Sequence, residues 1–142
     1  MPYSVARPLS LVGGPTKGEG TNKGQCAQLA QALRPDIGVV VHWTRGAQVK
    51  GNLSLVPGTV IAIFDSNGRY LGQKHHSHAG GVAHTALYVG QNARGIRIVN
   101  QYANKDTIRE DFVFWGGGAP GVSGTGLSPE DRGDNYFVVE KG

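Results

Sequence analysis

Cysteine is almost missing from this chain. Cys26 is the only one in 142 residues, so no internal disulfide forms and the fold does not depend on an oxidising compartment. Long apolar runs are missing too, and no window approaches the roughly 18 apolar residues of a membrane span. Charge is not gathered into blocks. The 14 basic and 10 acidic residues leave a net charge of +4, with a pI near 9.4, but no run of Lys or Arg. That balance suits an anionic partner such as cell wall, an acidic peptide or nucleic acid, and selects none of them. The opening residues lack the charged segment and apolar run of a secretory signal. Synthesis in the cytosol is therefore expected, with any export by another route.

What is present in excess is glycine, 23 residues where about 7 % usage would give ten or so. The glycines gather in loops without a repeat, which excludes collagen-like and solenoid chains. The length predicts a single domain over residues 1–142. Residues 1–23 read as an extended entry. Gly38–Trp43 is apolar and β-branched and suggests a strand, followed by a polar turn at Thr44–Gly46. Thr59–Phe64 is a buried strand between Pro57-Gly58 and Asp65–Gly68. Residues 69–82 read as a polar surface loop. Strands are expected at His84–Gly90 and Gly95–Gln101, joined by a hairpin turn, then at Thr107–Trp115 and Asn135–Glu140. Gly116–Asp134 is too poor in apolar residues to pack, and its length suggests a lid, a binding loop or disorder. One helix followed by strands with hairpin connections gives an α+β class, a helix laid on an antiparallel sheet of about five to six strands.

The one cysteine sits where that helix begins. Gly20, Thr21, Asn22 and Gly24 are turn and cap residues, and from Ala27 to Leu33 every residue is a good helix former. Leu29, Ala30 and Leu33 form a buried stripe that includes Cys26. The helix is predicted over 25–34, ending where Pro35 pushes Arg34 out of the helical region. Cys26 thus lies in the first turn, near unpaired N–H groups and the positive end of the dipole, an environment that favours the thiolate. The plain alternative is a small buried hydrophobe.

A cysteine nucleophile needs a base, and the base needs a group to hold its ring. His75, His76 and His78 lie in a polar loop and make a poor metal site, without Cys or carboxylate beside them. His42 has no polar neighbour. His84 opens a strand on one face with Ala86 and Tyr88, and the small Ala86 leaves room for a helix end. If Asn92-Ala93 is a two-residue turn, the hairpin pairs 88 with 97 and 84 with 101, which brings Gln101 opposite His84 with Cβ atoms about 5 Å apart. A loop one residue longer or shorter brings Asn100 instead. Either amide can orient an imidazole, so both stand as candidates.

Gly24-Gln25-Cys26 opening a helix, His84 opening a strand and a polar residue on the next strand resemble the papain-like cell-wall amidases of the CHAP and NlpC type. A closer likeness is to family 2 of the amidase effectors delivered by bacterial type VI secretion, with their domesticated relatives in ticks and mites. The matching stretches are Cys26–Leu33, Trp43–Gly46 with Val49–Asn52, Gly58–Phe64, His84–Gly90 and Gly95–Tyr102. Relatives often carry Asp-Gln where this chain has Asn100-Gln101. The resemblance implies cleavage of peptide bonds in the peptidoglycan stem or cross-links, without metal or other cofactor, by Cys26 as nucleophile and His84 as acid and base. The Cys26 N–H would hold the oxyanion, helped by the Gln25 amide. Trp43 and Tyr88 stand as substrate contacts, although they, Trp115 and Tyr102 also read as packing residues. Arg45, Lys50, Arg97 and Arg109 are solvated face, one of them a candidate clamp for a substrate carboxylate. The resemblance further implies a monomer, injected into the periplasm or wall of a target cell and countered by a cognate immunity protein, with neither nucleic acid nor membrane as partner. A cysteine peptidase or deamidase acting on protein, and a non-catalytic wall-binding module, are the alternative readings.

Overall fold

The computed structural model describes residues 2–18, 25–65, 67–70, 84–102, 106–116 and 132–141. Gln25 keeps an extended backbone, and Cys26–Leu33 form the helix, α1. Arg34 leaves helical geometry immediately before Pro35, as the proline ring demands, and its N–H still bonds the Ala30 carbonyl at 2.7 Å. Its guanidinium holds the Ser4 carbonyl at 2.8 Å and pairs with Asp36, which fixes the turn that follows.

Six strands form one antiparallel sheet: β1 (Trp43–Gln48), β2 (Val60–Ile63), β3 (Thr85–Gln91), β4 (Gly95–Asn100), β5 (Arg109–Phe114) and β6 (Tyr136–Lys141). Their spatial order is β1-β6-β2-β3-β4-β5, with the last strand inserted between the first two. The period-2 alternation of β2 sends Val60 and Ala62 into one core cluster and Ile61 and Ile63 into another. The first cluster joins Ala27, Leu29 and Ala30 of α1 to Leu87, Val99 and Val139. The second holds Ala86, Tyr88, Ile96, Ile98 and Tyr136 with Val49, from the segment after β1. The extended entry is tied down beside β2: the Tyr3 carbonyl accepts from the Val60 N–H, and Val5 N–H donates to Gly58. Gly58, at φ 95°, could carry no side chain, since a Cβ would overlap the Val5 carbonyl.

Two expectations are corrected. The strand proposed for 38–43 is displaced: Val40–His42 form a short 3-10 turn, Val39 and Val41 are exposed, and the strand runs through the residues read as a polar turn. β1 lies at the edge of the sheet, paired with β6, and beyond the buried Trp43 its exposed residues Thr44, Arg45, Ala47 and Gln48 fall on both faces. The β3–β4 turn is also not centred on Asn92-Ala93: the Asn92 N–H donates to the Gly95 carbonyl at 3.0 Å, so the two turn residues are Ala93 and Arg94. Asn92 accepts from the N–H groups of Arg94 and Gly95 through its side chain, so Gln91 pairs with Ile96, and a bulge at Val89 then resets Tyr88 opposite Ile98.

Candidate active site

The end of this hairpin decides which groups meet. Beyond the bulge the register runs Tyr88 with Ile98 and Leu87 with Val99. Carried to the head of β3, it sets His84 against Tyr102 and not Gln101. The two rings accordingly stack, with centroids 5.2 Å apart and planes inclined by 17°. Asn100 is then the diagonal neighbour on the same face. Its Oδ1 lies 2.8 Å from His84 Nε2. Both side chains are buried.

The protonation pattern follows from the other end of the amide. Asn100 Nδ2 donates to Asp111 Oδ2 at 2.8 Å and to the Arg109 carbonyl at 3.3 Å, two groups that only accept. Oδ1 therefore faces the imidazole, and an acceptor there requires His84 Nε2 to carry the proton. That leaves Nδ1 as the nitrogen available to the sulfur. The contacts of His84 thus run through Asn100 to Asp111, on β5.

Cys26 is the first residue of α1 and is 3 % exposed. Its sulfur lies 3.5 Å from Tyr70 Oη. Burial pushes the thiol pKa up. Against it work the charge and hydrogen bond of His84, the Tyr70 hydroxyl and the Thr85 backbone N–H, and together they hold the thiol below its ordinary value of 9.0. The Tyr70 phenol moves the other way, well above its ordinary value, first because it is buried and then because Cys26 is beside it. The structure therefore brings Cys26, His84 and Asn100 into one chain of contacts that ends on Asp111.

Other candidates lie elsewhere. Gln101 is fully buried but serves the helix entrance: Nε2 donates to the carbonyls of Gln25 and Lys17 at 2.8 and 3.0 Å, and Oε1 accepts from Lys17 N–H. Gln25 is the N-cap residue and makes no side-chain capping bond. Trp43 is 2 % exposed, bonded through Nε1 to the Ile37 carbonyl, so it is a core residue and has no surface for a substrate. Tyr88 is also withdrawn, in the cluster on the sheet face away from α1, its hydroxyl accepting from Gln91 Nε2. Ala86 lies in that same cluster and makes no room for the helix; Cys26 is brought to His84 because α1 begins beyond the head of β3, beside Tyr70 and Thr85. Arg97 is paired with Glu110 and Lys50 with Asp134. His75, His76 and His78 lie outside the described residues, as do 117–131 of the long glycine-rich loop. Tyr70, Thr85 and Asp111 were not anticipated. Tyr70 stood in a stretch that reads as polar loop, and a lone aromatic in it was its only signal.

A cysteine at the first turn of a helix laid over an antiparallel sheet, with a histidine and an amide on adjoining strands, defines the papain-like architecture. Within it the chain belongs to the family described as domesticated amidase effector 2, whose model matches residues 3–139. The chain is 32 % identical over 146 residues to the type VI secretion amidase effector 2 protein of Salmonella typhi, covering 99 % of this chain and 100 % of that protein. It is also similar to the solved structure of type 6 secretion amidase effector 2 (Tae2), with a TM-score of 0.74 and 28 % identity over 99 % of this chain and 95 % of that one. This is an amidase effector family, and membership implies a hydrolase.

Proposed function

We propose that the chain is a cysteine-dependent peptidoglycan amidase, cutting a peptide bond of the stem or cross-link in the wall of a target cell. The observation that carries the reading is the contact of Cys26 with His84 while Asn100 holds Nε2 protonated. The thiol proton passes to Nδ1, and the thiolate attacks the amide carbonyl. The Cys26 N–H, at the positive end of α1, faces the developing oxyanion with help from Gln25. The imidazolium then gives its Nδ1 proton to the departing amine, which leaves an acyl-enzyme. Water, deprotonated by the same nitrogen, releases the acid and restores the thiol. Every proton in this cycle is carried by His84, so the chemistry calls for no metal or other cofactor. As an effector the chain would be injected into competing cells, and the producing cell would need an immunity protein that blocks the cleft.

Digestion of purified sacculi followed by mass spectrometry tests this. New muropeptides from the native protein, absent with Cys26→Ala, support the reading and identify the bond. No new muropeptides would transfer the same dyad to a protein substrate. Unchanged toxicity and wall binding in Cys26→Ala would make the chain a non-catalytic module.

A further inference from the structure

Tyr70 is held with more precision than packing requires. The turn before it is closed by Asp65, whose side chain accepts from Asn67 and Arg69 N–H at 2.9 and 2.8 Å, and Arg69 bridges to Thr44 of β1. The ring is gripped by Trp43 at 5.0 Å and Phe64 at 6.1 Å. A phenylalanine would fill the same space without bringing a hydroxyl into an apolar cluster, where a polar group is unfavourable unless it is bonded. The hydroxyl has one proton to give. Thr85 Oγ1 donates to Tyr70 Oη at 2.7 Å, which occupies a lone pair and leaves the phenol proton for the sulfur 3.5 Å away.

We propose that Tyr70 is a catalytic residue, a fixed donor to the Cys26 sulfur that stabilises the anion and holds it at the head of β3. The inference rests on Cys26 being the nucleophile. Two features support it. Thr85 supplies the sulfur with a backbone N–H and the phenol with a hydroxyl, so one residue sets both partners. The phenol is also held protonated, by burial and by the sulfur's own charge, so it stays a donor wherever the thiolate exists. The other titratable groups in range are His84 for the sulfur and Tyr136 of β6 for the phenol.

The test is an ultraviolet titration of the thiolate, which needs no substrate. Tyr70→Phe keeps the ring. It should move the thiol midpoint up by about one pH unit and lower turnover at neutral pH about tenfold, the loss of one hydrogen bond to a charged group, with recovery at alkaline pH. Replacing Tyr70 by a monofluorinated tyrosine, a more acidic donor of nearly the same shape, should move the midpoint down. A structural role alone would give a loss independent of pH. Unmoved midpoints in both proteins overturn the proposal, as would a downward shift in Tyr70→Phe. If the midpoints shift as expected but sacculi are not cut, Tyr70 stands and the substrate assignment falls.

Discussion

Exchanging the carboxylate and the amide at positions 100 and 111 tests whether Asp111 sets the state of His84. Asn100→Asp alone places two carboxylates where an amide now donates across 2.8 Å. At that separation two full charges repel by about 6 kcal/mol in an effective dielectric of about 20. The protein can avoid this by taking up one proton between the pair. Raising a carboxyl pKa from about 4 to above 7 costs about 4 kcal/mol at pH 7, at 1.36 kcal/mol per unit. The sign follows from proton linkage. The folded variant binds a proton that the unfolded chain has released, so its stability falls as pH rises through the window between the unfolded and the raised value, and recovers as pH is lowered. Asp111→Asn alone keeps an acceptor for Asn100 Nδ2 and loses only the charge assistance, about 1 kcal/mol. The double variant restores one charge and one amide in reversed order, with the carboxylate at position 100 accepting from both His84 and the amide at position 111. Thermal unfolding across pH, with muropeptide release measured in parallel, reads all four proteins. The expected result is a steep pH-dependent destabilisation in Asn100→Asp that disappears in the double variant, with activity returning alongside. If Asn100→Asp unfolds with the same pH dependence as the native protein, or the double variant is no better than Asn100→Asp, then Asp111 does not orient Asn100.

Removing His84 leaves burial as the largest influence on the thiol, with only Tyr70 and Thr85 opposing it. The His84→Gln thiolate should therefore titrate above 9.0, where the native group titrates below it; ultraviolet absorbance against pH checks both. Gln101→Ala removes three hydrogen bonds to the backbone at Lys17 and Gln25. It should cost about 1–3 kcal/mol in denaturant unfolding without moving the imidazole resonances of His84 in nitrogen NMR, because Asn100 still accepts from Nε2.

Much of the architecture could be read from residue patterns, for identifiable reasons. In the sequence α1 is bracketed by turn-forming residues on one side and Pro35 on the other, both local signals. The strands of the meander carry β-branched runs buried on one or both faces. β1 could not be recognised this way. An edge strand exposed on both faces has the composition of a turn, and the apolar residues before it, Val39 and Val41, are exposed. Tyr70 was illegible for a related reason. Its burial is set by Trp43, Phe64 and Thr85, which come from three separate segments, and its own stretch of sequence is mostly polar and glycine-rich.

The choice between Asn100 and Gln101 shows where local reading ends. Adjacent residues on a strand point to opposite faces, so the ladder register alone decides which side chain meets the imidazole. That register depends on two features that act in opposite senses: the turn held by Asn92, which falls on Ala93-Arg94, one residue later than Asn92-Ala93, and the bulge at Val89, which takes one residue back. Without the bulge, Gln91 opposite Ile96 would continue to Tyr88 opposite Val99, and His84 would lie on a line with residue 103. With it, Tyr102 stacks on the ring and Asn100 comes within 2.8 Å. Gln101, sent to the other face, is left to clamp the entrance of α1 and so fixes the position of the cysteine. The two adjacent amides thus share the task. One sets the tautomer of the base and the other the backbone that carries the nucleophile, and a single extra residue in β3 assigns which does which.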